Sequence, residues 1–192
     1  DGTLKLWDLS TESTDPDTPL ENLTYRGCLE EKQVKQYTKD IFNGLLYLKQ
    51  NNIIHFDIKI PNIIIINNVA KVCDFGLSEI QNINKIGLHN ENNNDNERED
   101  NNVKGSSNYI APELFTNGYL TFQVDIWSCG ILILKLITNY YLRNYNISEL
   151  YLYFRHSNVS VELIDLIKSM LVLNYNERNT IEDLIKHNWF NI

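Results

Sequence analysis

A chain of 192 residues suffices for one well-buried core, hiding about 70% of the surface its unfolded form exposes. Its 43% hydrophobic and 11% aromatic content excludes global disorder. Twenty-five acidic against 17 basic residues give a formal charge of −8, which argues against nucleic acid as a partner and for basic peptides or other cationic surfaces.

Cys28, Cys73 and Cys129 are an odd number of cysteines without metal-ligand spacing. They imply no disulfide framework and fit a reducing compartment, so an intracellular address in cytoplasm or nucleus is expected. The N-terminus lacks the marks of a signal peptide, and the apolar stretch at residues 126–137 falls far short of the ~20 residues that span a bilayer. A soluble protein without membrane association is expected.

Residues 10–22 collect Ser, Thr and Asp around Pro16 and Pro19, a composition that predicts a loop. From Glu31, apolar residues recur at Val34, Tyr37, Ile41, Leu45 and Leu48, the spacing of a helix with one buried stripe, over roughly 31–50. Asn51-Asn52 ends it, and Ile53-Ile54 forms a short buried segment leading into His55-Phe56-Asp57-Ile58-Lys59-Ile60-Pro61-Asn62. Ile63 to Ile66 and Val69 to Cys73 are two β-branched runs about Asn67-Asn68, a hairpin signal that predicts a small two-stranded ribbon. Asp74-Phe75-Gly76 follows directly. These two loops bring together a carboxylate base, a phosphate-facing lysine and two oxygen ligands for magnesium, the kit for moving a phosphoryl group from a nucleotide.

Residues 80–104 are dominated by Asn, Asp and Glu without helical periodicity, which predicts a disordered insertion looping out of a folded body. Gly105-Ser106-Ser107-Asn108-Tyr109-Ile110-Ala111-Pro112-Glu113 is a dense turn-forming passage. After Thr121, Val124, Trp127, Ile131, Leu134 and Ile137 mark a helix apolar on nearly every side, hence a core helix in which Asp125 needs a partner. Val161 to Leu171 gives an amphipathic helix, and Thr180 with Asp183 predicts a capping box opening a last helix that ends near Trp189.

Taken together, these motifs resemble the larger, C-terminal lobe of a eukaryotic protein kinase, from about residue 21 to the end. The catalytic-loop pattern at 55–62, Asp74-Phe75-Gly76, Ala111-Pro112-Glu113, Asp125-Ile126-Trp127-Ser128-Cys129-Gly130 and Arg178 occur in the family's order. The fold class this implies is mostly α with a small β ribbon, a kinase C-lobe of the α+β family with the N-lobe absent.

By that resemblance Asp57 is the base or orienter for a substrate hydroxyl, and Lys59 offsets charge on the transferring group. Asn62 and Asp74 are the magnesium ligands, and Ile64 lies beneath the adenine of ATP. His55 and Phe75 belong to a stacked hydrophobic column, Asp125 anchors the catalytic loop, and Glu113 pairs with Arg178. Lys59 after Asp57 and Ser106 after Gly105 resemble the serine/threonine-specific pattern, with Ser106 facing Asp57 and Lys59. The implied partner is a protein substrate bearing a Ser or Thr hydroxyl.

The departures from the family are informative. Phe56 stands where many regulated kinases have arginine, so a phosphate on residues 77–108 would find no guanidinium there. Ile60-Pro61 reverses the usual order, which puts the loop path into Asn62 in question. No Gly-x-Gly-x-x-Gly occurs in the 192 residues. Residues 1–20 read as the segment following the kinase hinge and a loop, with Leu4 approaching the adenine pocket; residues 1–9 also resemble the last strand of a WD-repeat blade, which cannot close a propeller alone. The expected function is a serine/threonine kinase domain in part, with residues 21–192 as its C-lobe, inactive on its own. The alternative is a non-catalytic, pseudokinase-like protein-binding module.

Overall fold

A computed structural model describes residues 18–24, 27–81, 105–116, 121–142, 144–155 and 158–191. The expectations for residues 1–17, including Leu4, and for 82–104 lie outside the described residues.

Helix α2 (Glu31–Gln50) has the bounds its periodicity predicts, burying Val34, Tyr37, Ile41, Phe42, Leu45 and Leu48. It stops where Asn52 turns left-handed, at φ 56°, a conformation asparagine tolerates better than most residues. Strand β2 (Ile53–Ile54) pairs antiparallel with β5 (Glu79–Ile80). Strands β3 (Ile63–Ile66) and β4 (Val69–Val72) form the expected hairpin, Ile66 opposite Val69. Its two turn residues, Asn67 and Asn68, have φ of 50° and 63°, the paired positive values of a type I′ turn whose twist matches the strands.

The ribbon has a third strand that the loop reading of residues 10–22 did not contain. Strand β1 (Thr18–Pro19) pairs antiparallel with β3, Thr18 opposite Ile65, and helix α1 (Leu20–Thr24) follows it at once. Proline is acceptable because β1 lies at the sheet edge. Leu20, fully buried, draws the segment onto the core.

Helix α4 (Gln123–Thr138) runs through the centre of the protein, and every residue except Gln123 and Lys135 is buried. Asn139, at φ 60°, caps it in the left-handed conformation. Helix α6 (Val161–Met170) opens on Ser160, whose Oγ accepts the Leu163 N–H at 3.2 Å. The two helices touch at Gly130, where a Cβ would stand 2.9 Å from Leu171 Cδ2 and 3.0 Å from Met170 Cβ. Short helices α3 (Glu113–Thr116) and α5 (Leu150–Phe154) complete the central part.

Helix α7 (Ile181–Leu184) carries the predicted Thr180–Asp183 capping box but is shorter than expected. The chain re-forms as a separate 3-10 turn over Asn188–Asn191, with Trp189 fully buried. After Ile185 the N–H groups of Lys186 and His187 reach only three residues back, to Asp183 and Leu184, and the His187 ring then accepts the Trp189 N–H at 3.2 Å. The fold is thus mostly α with a small β component. Among the described residues no helix is long and apolar enough to cross a membrane.

Candidate active site

The loop between β2 and β3 carries Asp57, Lys59 and Asn62, and its shape is imposed from below by α4. Asp125, completely buried, accepts the His55 N–H at 2.7 Å and the Phe56 N–H at 2.9 Å, one on each carboxylate oxygen. Burial pushes its carboxyl up to about 7, and the two N–H groups pull in the opposite direction. Phe56 takes φ 65° and sends its side chain into the core.

His55 is also fully buried. Its Nδ1 accepts the Asp57 N–H at 3.2 Å, which leaves the proton on Nε2 to be donated to the Cys73 carbonyl at 3.1 Å. Burial lowers the imidazole pKa, against the pull of the Cys73 carbonyl and two nearby carboxylates, so the neutral tautomer is retained. The ring meets Phe75 at a centroid distance of 4.9 Å. This single histidine therefore joins the Asp57 loop to the Asp74 loop.

Three side chains converge on the Asp57 carboxylate. Ser106 Oγ donates to Asp57 Oδ1 at 2.9 Å, and Lys59 Nζ lies 2.7 Å from Oδ2. Asn62 Nδ2 donates to the same Oδ2 and to the Asp57 carbonyl, both at 2.9 Å. Lys59 Nζ also donates to Ser106 Oγ at 2.9 Å, closing a triangle. Burial alone would raise the Asp57 carboxyl; the hydrogen bonds and charge of Lys59, with Ser106 and Asn62, hold it below its ordinary value.

Asn62 ends a 3-10 turn over Ile60–Asn62, and its N–H donates to the Lys59 carbonyl at 3.0 Å. The reversed Ile60-Pro61 order is absorbed in that turn, since the Asn62 side chain still reaches Asp57. The Asn62 carbonyl accepts the Cys73 N–H at 2.9 Å, which brings the residue next to Asp74 against the catalytic loop. Asp74 is exposed, at φ 62°, with Oδ1 accepting the Gly76 N–H at 3.3 Å. Ile64 sits in β3 between Pro19 and Lys71, half-buried on the more open face of the three-stranded sheet.

The family model described as the protein kinase domain matches residues 7–190. The chain belongs to the protein kinase family. It is similar to the DNA damage response protein kinase DUN1 of Saccharomyces cerevisiae, with 26% identity over 215 aligned positions that cover 95% of the chain. The chain spans 39% of the length of that relative.

The mostly helical kinase fold is thus of the C-lobe kind, and its remaining motif residues hold the segment that bears Ser106. Arg178 grips Glu113 with both terminal nitrogens, at 2.7 and 3.0 Å, and both side chains are buried. The same guanidinium donates to the carbonyls of Val172 and Gln123. Ser128 Oγ donates to the Tyr109 carbonyl at 2.8 Å.

Gly105 is the site residue whose role was not apparent from its motif. Its φ is +110°, and a Cβ there would fall 2.7 Å from the Phe56 carbonyl oxygen. Glycine before Ser106 was a visible signal, yet it read only as turn chemistry because its neighbour lies far away in the chain.

Proposed function

We propose that this chain is part of a protein serine/threonine kinase that transfers the γ-phosphate of ATP to a protein hydroxyl, with residues 21–192 as its larger lobe and 1–20 leading into it. The observation that carries this reading is the closed triangle of Asp57, Lys59 and Ser106 beside Asn62. Asp57, kept anionic by its neighbours, orients an incoming hydroxyl and accepts its proton late in the transfer. Lys59 supplies positive charge where negative charge develops. Ser106, bonded to both, shapes the acceptor site and supports the serine/threonine assignment. A substrate hydroxyl that takes its place on Asp57 Oδ1 would inherit an aligned acceptor.

The donor set also fits magnesium. Asn62 makes both of its side-chain hydrogen bonds through nitrogen, which leaves its amide oxygen for a cation, and Asp74 offers an exposed carboxylate. Among the described residues no cluster of three or more His, Cys, Asp or Glu forms a cage, in keeping with a cation held by one or two protein oxygens and the phosphates themselves. Bound with ATP, magnesium would neutralise phosphate charge. Ile64, on the open face of its sheet, and Leu4 are the candidate adenine contacts.

Phe56, with its ring in the core, offers nothing to a phosphate. Phosphorylation within residues 77–108 therefore does not activate through position 56 in this reading. An intracellular protein substrate completes the proposal.

The test uses labelled MgATP and serine peptides. The 192 residues alone, having no glycine-rich loop, are expected to incorporate no appreciable label. A parent protein that supplies such a loop and a strand lysine should do so, and lose the activity in Asp57→Asn and Asp74→Ala. Transfer by the chain alone overturns the expected inactivity of the 192 residues, and a parent with that loop that is inert overturns the kinase reading in favour of a non-catalytic binding module.

A further inference from the structure

Asn62 and Asp74 sit at the open end of the β3–β4 hairpin, the first just before Ile63 and the second shortly after Val72. Their separation therefore depends on how the two strands lie side by side. Strand β3 is fixed by Ile63 and Ile65, both buried, and by its pairing with β1. Strand β4 lies at the opposite edge of the sheet and buries only Ala70. Burial of side chains thus does little to fix β4 along its own axis.

Helix α2 supplies what burial does not. Gln36 Nε2 donates to the Asn68 carbonyl at 2.8 Å, at the tip of the hairpin. One turn on, the half-buried Asp40 accepts the Ala70 N–H on Oδ2 at 3.0 Å. One turn further, Gly44 has no side chain to hold β4 away, and a Cβ there would stand 3.7 Å from Val72 Cγ2. Anything longer than a methyl group at 44 would drive into the strand.

Every fourth residue of the helix thus meets every second residue of the strand, and the two run in the same direction. Four helical residues advance about 6 Å and two strand residues about 7 Å, so the steps stay matched over the length of β4. The next alternate residue after Val72 is Asp74. Hydrogen bonds are directional where apolar contacts can slide, so Gln36 and Asp40 set the register of this ladder.

We propose that Gln36 and Asp40 are positioning residues for the magnesium ligands: they fix β4 along its axis and thereby hold Asp74 at the distance from Asn62 that one shared cation requires. The proposal rests on the kinase reading, in which Asn62 and Asp74 are those ligands. Both side chains act through the backbone of the hairpin, Gln36 at its tip and Asp40 at its edge.

The experiment is a titration of the full chain with Mn²⁺, used in place of magnesium for its paramagnetism. NMR spectra follow the broadening of the Asn62 side-chain amide and the Gly76 N–H. In the unaltered chain both signals should broaden over one range of Mn²⁺ concentration, as they do when an ion is shared. Asp40→Ala should raise the concentration needed by about tenfold, the low end of what loss of a group that orients metal ligands costs, and should separate the ranges of the two signals. Asp40→Asn keeps an oxygen for the Ala70 N–H and should restore the native titration. Gln36→Ala, at an exposed position that leaves the fold intact, should shift the titration in the same direction by less. Glu31→Ala controls for stability alone: it loosens the start of α2 and should leave the titration where it was.

An unchanged titration in both Asp40→Ala and Gln36→Ala, failure of Asp40→Asn to restore it, or an equal shift in Glu31→Ala overturns the proposal. Broadening that spares Asn62 and Gly76 in the unaltered chain removes the metal assignment and the proposal with it. The expected shifts, found alongside a parent protein that transfers no phosphate, overturn only the kinase reading.

Discussion

Asp125 accepts the backbone N–H of His55 at 2.7 Å across a separation of 70 residues, and the catalytic loop is shaped by that contact. Removing the acceptor leaves the N–H groups of His55 and Phe56 without partners in the core. Asp125→Ala is expected to cost about 1–3 kcal/mol for each of them, read as a lowered midpoint in urea. Asp125→Asn keeps one acceptor and turns an N–H toward the other donor, so it should fall between Ala and the native residue.

Gly105 and Phe56 make a tighter test of how the Ser106 segment docks. Gly105→Ala places a methyl group in contact with a carbonyl oxygen at a φ that alanine avoids, a strain of about 1–3 kcal/mol. The expected response is a shift of residues 105–108 away from Asp57. Solution NMR should show Ser106 and Lys59 moving while the signals of α6 stay in place.

For the Glu113–Arg178 pair, loss of either partner strands a buried charge. Glu113→Ala should destabilise the protein by about 3–5 kcal/mol. The double variant Glu113→Leu, Arg178→Met should not return to native stability, because the carbonyls of Val172 and Gln123 lose the same guanidinium. A double-mutant cycle by chemical denaturation measures the difference.

Acid should loosen the contact of Glu31, at the start of α2, with Ser160 and Trp189. The Glu31 carboxylate accepts the Ser160 N–H at 2.8 Å, the Ser160 hydroxyl, and the Trp189 indole N–H at 2.7 Å. Burial would raise its pKa, but these bonds and Lys35 bring it below the ordinary value of 4.5. With the folded value depressed, the stabilisation is complete above about pH 4.5 and is lost as the pH falls through the folded value. The melting temperature of the native protein should drop over that acid range, and Glu31→Gln should flatten the drop.

Much of this was legible before any coordinates. The limits of α2 followed from its apolar spacing, the hairpin from Asn67-Asn68, and the last cap from Thr180 and Asp183, since each signal is local. Asp57, Lys59, Asn62, Asp74 and Ser106 stood out because family motifs are short and contiguous. The strand at Thr18-Pro19 was hidden because its partner, Ile65, is distant in the chain, and residues rich in turn formers disguise an edge strand. The end of α7 depended on a switch to bonds reaching three residues back after Ile185, for which periodicity has no symbol. The Gly105 contact was likewise illegible, being built by chain segments that meet only after folding.

Helix α4 has almost no face left for water, and this gives the protein an internal clock. Amide protons in such a helix exchange with solvent only when the whole structure opens, whereas those of surface turns exchange through small local fluctuations. The amides of His55 and Phe56, bonded to an α4 side chain, should exchange on the slow schedule although they lie in a loop. A stretch of loop that keeps time with the core holds its form for as long as the protein remains folded.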